Sequence, residues 1–311
     1  MRLPWKKAGA SRVAKSLQFM TEAPETAADV APSNTATLLE AHEEASSELG
    51  DLAKLPPFRP VVITLMRLFD REIVGADEIA HLMESDPTLM AELLALVNSP
   101  LFALPAPVTS PAQAVNLLGF DTVKLLATTL GMRSMMQNAP RTPVVRRFWL
   151  HSLAASTIAQ DFARVLHLDV QTEYVNALLH DMGRLGLLAA YPEEYTVLAL
   201  AAYDDADAIL ATEAERVGMT HCQAGEKLAR AWRLPTSVQR AAAHHHHSSS
   251  ALVHLACRLA DDLQFLAIMR RDVRKPEETI AELAPESAEL LIARLDHVSS
   301  AILHTHQTLD F

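Results

Sequence analysis

Glycine is scarce in this chain, with 9 residues among 311, and aromatic side chains make up only 5%. Two cysteines are too few for a disulfide framework, and they fit a reducing cytoplasm. No apolar run approaches the roughly 18 residues that a membrane-spanning helix needs. The basic start (Arg2, Lys6, Lys7, Arg12, Lys15) is followed by no apolar stretch with a small-residue cleavage site, so no secretory signal is read there. A cytoplasmic location is therefore expected. Positive charge is in deficit: the formal net charge is −11, which argues against broad nucleic-acid binding through phosphates. Long β-branched runs are also missing. With half of the residues hydrophobic and so little glycine, the expectation is an all-α protein.

Residues 1–51 read as a disordered or weakly helical tail. Its segment 21–37 carries Pro, Ala, Thr and acids without apolar periodicity, a composition that cannot offset its ordering entropy. A short helix is expected at Ala36–Leu49. Order begins at Leu55-Pro-Pro-Phe-Arg-Pro60, ahead of a helix over Val61–Asp70. Asp77 can cap Glu78–Glu84, while Asp86-Pro87 and Ser110-Pro111 each set proline at a first helical position. A proline-rich loop, 98–109, lies between those two starts. Gly119 ends one helix and Asp121 can cap the next. A long helix follows from Val144 to about Leu166, with Phe148, Leu153, Ile158, Phe162 and Val165 as core candidates. Further helices are expected at Glu193–Tyr203, Ala206–Val217, after Thr220, from Pro235, at Leu252–Ile268 and at Glu286–Leu309.

The chain is organised around Thr172–Leu188. Val175, Leu178, Leu179 and Met182 form the apolar stripe of a core-facing helix, with Thr172 as a candidate cap and Gly183 as a candidate left-handed exit. His180 and Asp181 sit inside this apolar segment. A buried carboxylate is costly unless it is paired, hydrogen-bonded or metal-bound. Two readings stand side by side: an ion pair of Asp181 with Arg184 or a protonated His180, and a pair of metal ligands. Other polar groups recur on the apolar helices nearby: His151, His221 and a pair within His244–His247. One or two ligands on each of several consecutive helices is how a bundle builds a central metal site. Imidazoles with a carboxylate suit Fe, Mn, Zn or Ni better than Mg or Ca.

His180-Asp181 within Leu-Leu-His-Asp-Met-Gly-Arg, with His151 one helix earlier, resembles the metal-dependent phosphohydrolase superfamily named for its His-Asp doublet. The first half sharpens the likeness. Leu55–Pro60, Asp86-Pro87, Asn98-Ser99 and Leu104–Ser110 ahead of Ala114–Gly119 are similar to the HDOD family, the HD-related output domain. The resemblance spans about residues 52–270. It implies a helical N-terminal subdomain at 52–140 and an HD-like bundle at 141–270, with 271–311 as a C-terminal helical extension.

Carried across residue by residue, the resemblance implies His151 as the first ligand and His180-Asp181 as the doublet. His221 resembles the next histidine of the cyclic-di-GMP phosphodiesterase branch, and His244 and His245 that branch's paired histidines, with the register within 244–247 open. Cys257 stands where the superfamily has its last Asp ligand; a thiolate can also bind zinc or iron. The branch's Gly-Tyr-Pro element is missing, and Arg184 stands where it carries Lys. The implied cofactor is a divalent transition metal (Fe, Mn or Zn) in a mono- or dinuclear centre. The implied function is a signalling output or binding module, non-catalytic, acting through protein partners. The alternative is a metal-dependent phosphohydrolase of a nucleotide or cyclic dinucleotide, in which Arg184 would steady the phosphate.

Overall fold

Helix starts follow the punctuation of the sequence. A computed structural model describes residues 49–68, 76–99, 102, 104–140, 142–247 and 251–309, almost wholly helical. After a 3-10 turn at Gly50–Lys54 come α1 (Pro60–Arg67), α2 (Ala76–Glu84), α3 (Pro87–Val97), α4 (Pro111–Leu118) and α5 (Phe120–Asn138). Proline opens α1, α3 and α4, where its missing N–H removes nothing from the helix. The side chains of Asp86 and Ser110 accept the N–H of Leu89 and Gln113, caps of about 1 kcal/mol each. Asn98 closes the proline-rich loop, donating to the Val108 carbonyl at 2.8 Å and accepting the Val108 N–H at 2.7 Å.

The long helix α6 (Pro143–Leu166) is the axis of the second half. It packs against α7 (Val170–Leu179), α13 (Ala251–Asp262) and α16 (Leu295–Leu309). Between these run α8 (Met182–Ala190), α9 (Pro192–Leu200), α10 (Ala206–Val217), α11 (His221–Ala231) and α12 (Thr236–His244), with α14 (Pro276–Leu283) and α15 (Ala288–Ile292) after α13. Two-residue strands, β1 (Ala202–Tyr203) and β2 (Met269–Arg270), pair in parallel. One apolar cluster joins the first helices to Phe148, Trp149, Tyr195 and Leu309; a second surrounds Phe162, Leu259 and Ile302. Helix α6 contributes to both. Trp149 donates its indole N–H to the Leu309 carbonyl at 3.2 Å, so α16 is docked on α6.

The central segment departs from the single helix expected there. Asp169, not Thr172, caps α7, accepting the N–H groups of Gln171 and Thr172. The helix stops at Leu179 and α8 begins at Met182, which leaves His180 and Asp181 at the break. Gly183 is helical rather than a left-handed exit. A Cβ there would lie 1.9 Å from the His221 carbonyl oxygen, so the glycine is needed for the close crossing of α8 and α11. Gly119 rather than Asp121 precedes α5. The helix expected at Leu252–Ile268 ends at Asp262, and Glu286–Leu309 is divided by a break between α15 and α16. The tail to residue 48, most of the helix expected at Ala36–Leu49, and Asp70 lie outside the described residues. Among the described residues, no helix is long and apolar enough to cross a membrane.

Candidate metal centre

Breaks and helix ends aim the polar groups inward. His151 projects from the middle of α6, while His180 and Asp181 occupy the α7–α8 break. His221 opens α11 behind a capping box of Thr220 and Gln223. His245 and His246 follow the end of α12, and Cys257 and Asp261 lie one turn apart on α13. His151, His180, Asp181, His221, His245 and Cys257 are all buried, and His246 is partly buried.

A neutral imidazole carries one ring proton, and the acceptor it meets decides which nitrogen holds it. His151 Nδ1 faces the Phe265 carbonyl at 2.7 Å, and His180 Nδ1 the Ala177 carbonyl at 2.6 Å. His221 Nδ1 faces Glu213 Oε2 at 2.7 Å, and His245 Nδ1 the Ala241 carbonyl at 3.2 Å. These oxygens only accept, so each Nδ1 holds a proton, and a neutral ring then presents a bare Nε2. The Nε2 atoms nevertheless converge: His151 to His180 at 3.3 Å, His221 to His245 at 3.2 Å and to His246 at 3.0 Å. Lone pairs pressed together in a buried site call for a cation.

Asp181 lies between the two groups. Its Oδ1 is 3.3 Å from His245 Nε2 and 3.4 Å from His221 Nε2, yet this buried atom accepts no hydrogen bond. Its Oδ2 accepts from Arg184 Nε at 2.7 Å and lies 3.8 Å from His151 Nε2. The side-chain donors fall into mutually close sets: His151, His180 and Cys257; His180, Asp181 and His245; and His221, Cys222, His245 and His246. The orphaned Oδ1 and the unprotonated nitrogens fit a divalent transition metal. His151, His180 and Cys257 would hold one ion and His221, Cys222, His245 and His246 a second, with Asp181, grouped with His180 and His245, between them.

Burial sets the protonation of the cluster. It pushes the pKa of His180 and His246 well below the ordinary imidazole value, the other histidines adding to it. His221 is lowered by burial and by Arg184. Burial works against the Asp181 carboxylate, but Arg184 and the histidines hold its pKa well below the usual range. Burial, with Asp261 and Asp181 nearby, drives the Cys257 thiol well up. The thiol thus keeps its proton in the metal-free protein, where Sγ lies 3.7 Å from His151 Nε2.

Around the donors runs a second layer. Glu213 is fully buried and accepts from Tyr195, Arg184 and both N–H groups of His221. Asp261 lies 3.4 Å from His151 Nδ1 and 3.2 Å from Arg270. Beside the donors is a cavity of about 10 Å³ bordered by Cys257, Asp261 and Arg270, room for about one water molecule.

Of the residues singled out in the sequence, His151, His180, Asp181, Arg184, His221, His245 and Cys257 come together, and His244 does not. His244 is exposed, its ring 6.5 Å from that of His247, because it still belongs to α12. The turn that follows brings His245 and His246 inward. Glu213, Asp261 and Cys222 were not foreseen. Ile209, Glu213 and Val217 are spaced as one buried stripe of α10, so an acid in an apolar row was the available signal.

An all-helical bundle enclosing a His-Asp doublet and further histidines defines the class of this protein. The chain belongs to the HDOD domain family, whose model matches residues 55–248. An uncharacterized protein of Treponema pallidum (strain Nichols) is 24% identical over 213 residues, 67% of this chain. This chain spans only 41% of that relative's length. An HDOD domain protein of unknown function from Geobacter sulfurreducens is similar in fold, with a TM-score of 0.69 and 22% identity, covering 89% of this chain and 98% of that one. A Shewanella amazonensis SB2B protein, provisionally assigned as a phosphohydrolase, aligns with a TM-score of 0.60 and 18% identity over 85% of this chain and 96% of its own. A Marinobacter aquaeolei VT8 protein, provisionally assigned to signal transduction, has a TM-score of 0.62 and 18% identity over 98% of this chain and 66% of that one.

Proposed function

We propose that this protein is a non-catalytic signalling output module of the HDOD type that keeps a buried transition-metal centre. The convergence of the His151, His180 and His245 Nε2 atoms on Asp181, each with its Nδ1 facing an acceptor, supports the metal part of this reading. A cavity of about 10 Å³ beside the donors carries the non-catalytic part. It is smaller than a nucleotide phosphate, and the Arg184 groups that would steady one are bonded to Asp181, Glu213 and His221. Output then passes through the helical surface to protein partners in a cytoplasmic signalling pathway, while Fe, Mn or Zn in the centre fixes the packing of α6, α7, α11 and α13.

A bound divalent ion would supply Lewis acidity to a water or phosphate oxygen. The division of donors about Asp181 favours a second reading, a phosphohydrolase of a nucleotide or cyclic dinucleotide, which also agrees with the Shewanella likeness. Metal analysis of anaerobically purified protein, together with a phosphodiesterase assay on cyclic di-GMP with added Mn²⁺ or Fe²⁺, tests both. Bound metal without turnover is expected. Turnover that His180→Ala and Asp181→Ala abolish would replace the module by the enzyme, and a metal-free protein would remove the centre.

A further inference from the structure

Arg184 brings a fixed positive charge into the donors of one half of the centre. Its side chain is 5% exposed. Nε donates to Asp181 Oδ2 at 2.7 Å, Nη1 to Glu213 Oε1 at 3.1 Å and Nη2 to His221 Nε2 at 3.2 Å. Guanidinium does not lose its proton in proteins. The lone pair that His221 would offer a metal is therefore already taken by an N–H, and a carboxylate lone pair of Asp181 is neutralised. Arg270, the other guanidinium beside the centre, bonds Asp272 and pairs with Asp261. His151 Nε2 lies 3.3 Å from His180 Nε2 and 3.7 Å from Cys257 Sγ, and the two imidazoles lie 3.8 Å and 3.9 Å from Asp181 Oδ2, the oxygen that Arg184 Nε bonds.

The two potential ion positions are thus unequal. A divalent ion at His221, His245 and His246 would have to break the Arg184–His221 bond and lie next to a cation that Glu213 holds in place. An ion at His151, His180 and Cys257 would displace the thiol proton beside His151 Nε2 and share Asp181 Oδ2 with Arg184 Nε, but it meets no guanidinium at a ring nitrogen. We propose that Arg184 is a resident cation that stands in for a second metal ion, so that the centre is mononuclear and is loaded at His151, His180, Asp181 and Cys257. This rests on the metal reading above and adds its stoichiometry and its cause.

The test counts Mn²⁺ bound to the full chain after equilibration and desalting, by elemental analysis, with the Mn²⁺ spin-resonance spectrum as a second readout. Wild type should bind one equivalent and give the spectrum of an isolated ion. Arg184→Met, which keeps the bulk of the stem and removes the charge, should bind two and give a spin-coupled spectrum. Since Arg184→Met leaves Glu213 without its cation, Arg184→Gln, which removes the charge and keeps an amide donor, is counted beside it and carries the test if Arg184→Met does not fold. Two equivalents in wild type, or one in a folded variant lacking Arg184, overturns the inference and leaves the metal reading intact. No bound metal in any of the proteins overturns both.

Discussion

Glu213 Oε2 accepts two hydrogen bonds from His221, one from the backbone N–H at 2.8 Å and one from Nδ1 at 2.7 Å. A single carboxylate oxygen therefore fixes where α11 begins, which way the imidazole points and which ring nitrogen is bare. Its charge is kept although it is buried: burial works to raise the Glu213 pKa, but His221 and Arg184 hold it below the ordinary value. Loss of such a partner behind a metal-binding histidine costs about 10–100-fold in metal affinity. Glu213→Gln should weaken binding of Mn²⁺ at the His221 side, measured by titration in the Arg184→Met background where that position is free. Glu213→Ala should destabilise the fold by about 3–5 kcal/mol, since it takes one of two carboxylates from a buried guanidinium and leaves Tyr195 and His221 without their acceptor. Urea unfolding that matches wild type would show that the carboxylate anchors nothing.

Gly183 offers a purely steric test. Its added Cβ meets backbone, the His221 carbonyl at 1.9 Å, whereas a Cβ on Gly225 meets the Ala242 methyl at 3.2 Å. Backbone cannot rotate aside. Gly183→Ala should cost at least the roughly 1–3 kcal/mol of an overpacked core, and Gly225→Ala distinctly less. Equal melting temperatures for the two variants would contradict the close crossing of α8 and α11.

The histidine run separates by position. His245 and His246 enter the donor sets and His244 does not. In protein lacking Arg184, His246→Ala should lower the affinity of the second ion and His244→Ala should leave it unchanged. The reverse pattern would restore the register suggested by the resemblance.

Glu173 supplies a pH test away from the donors. Burial, with Asp169 beside it, raises its carboxyl from 4.5 to about 7. Between those values the folded chain keeps a proton that the unfolded chain has released, so this group's contribution falls as pH rises through the window and is flat above about 7. One pKa unit corresponds to about 1.4 kcal/mol, so the whole effect is roughly 3 kcal/mol at most. Glu173→Gln should gain stability over wild type as pH rises across the window, read by urea unfolding at several pH values. The depressed histidines act in the opposite sense, but equally in both proteins, and cancel in the difference. Parallel pH curves for the two proteins would reject the shift.

Much of the fold was legible because its signals are local. The proline starts at Pro87 and Pro111, the cap at Thr220 and the buried Val175, Leu178 and Leu179 of α7 depend on neighbours a few residues away. The break at His180-Asp181 was not legible, because an apolar period continues through it, and the close approach of Gly183 to α11 just beyond it is a long-range contact. His151, His180, Asp181 and His221 stood out as polar groups on apolar helices. The histidine register could not be read from four identical residues at a helix end, where one residue of slip turns the side chain by about 100°. Glu213 was hidden for another reason: α10 reads as an ordinary amphipathic helix until the layer beneath it is known.

The carbonyl that holds His151 Nδ1 belongs to Phe265, well past the end of the family match at residue 248. Cys257 and Asp261 lie beyond it as well. The segment by which the family is recognised is therefore shorter than the segment that completes the centre. A chain cut at 248 would retain the doublet, yet His151 would lose the acceptor that sets its ring, and its Nε2 would lose the thiol neighbour. The segment that the family shares and the segment that supplies the candidate donors have different lengths here, and α13 with the loop after it completes the cluster.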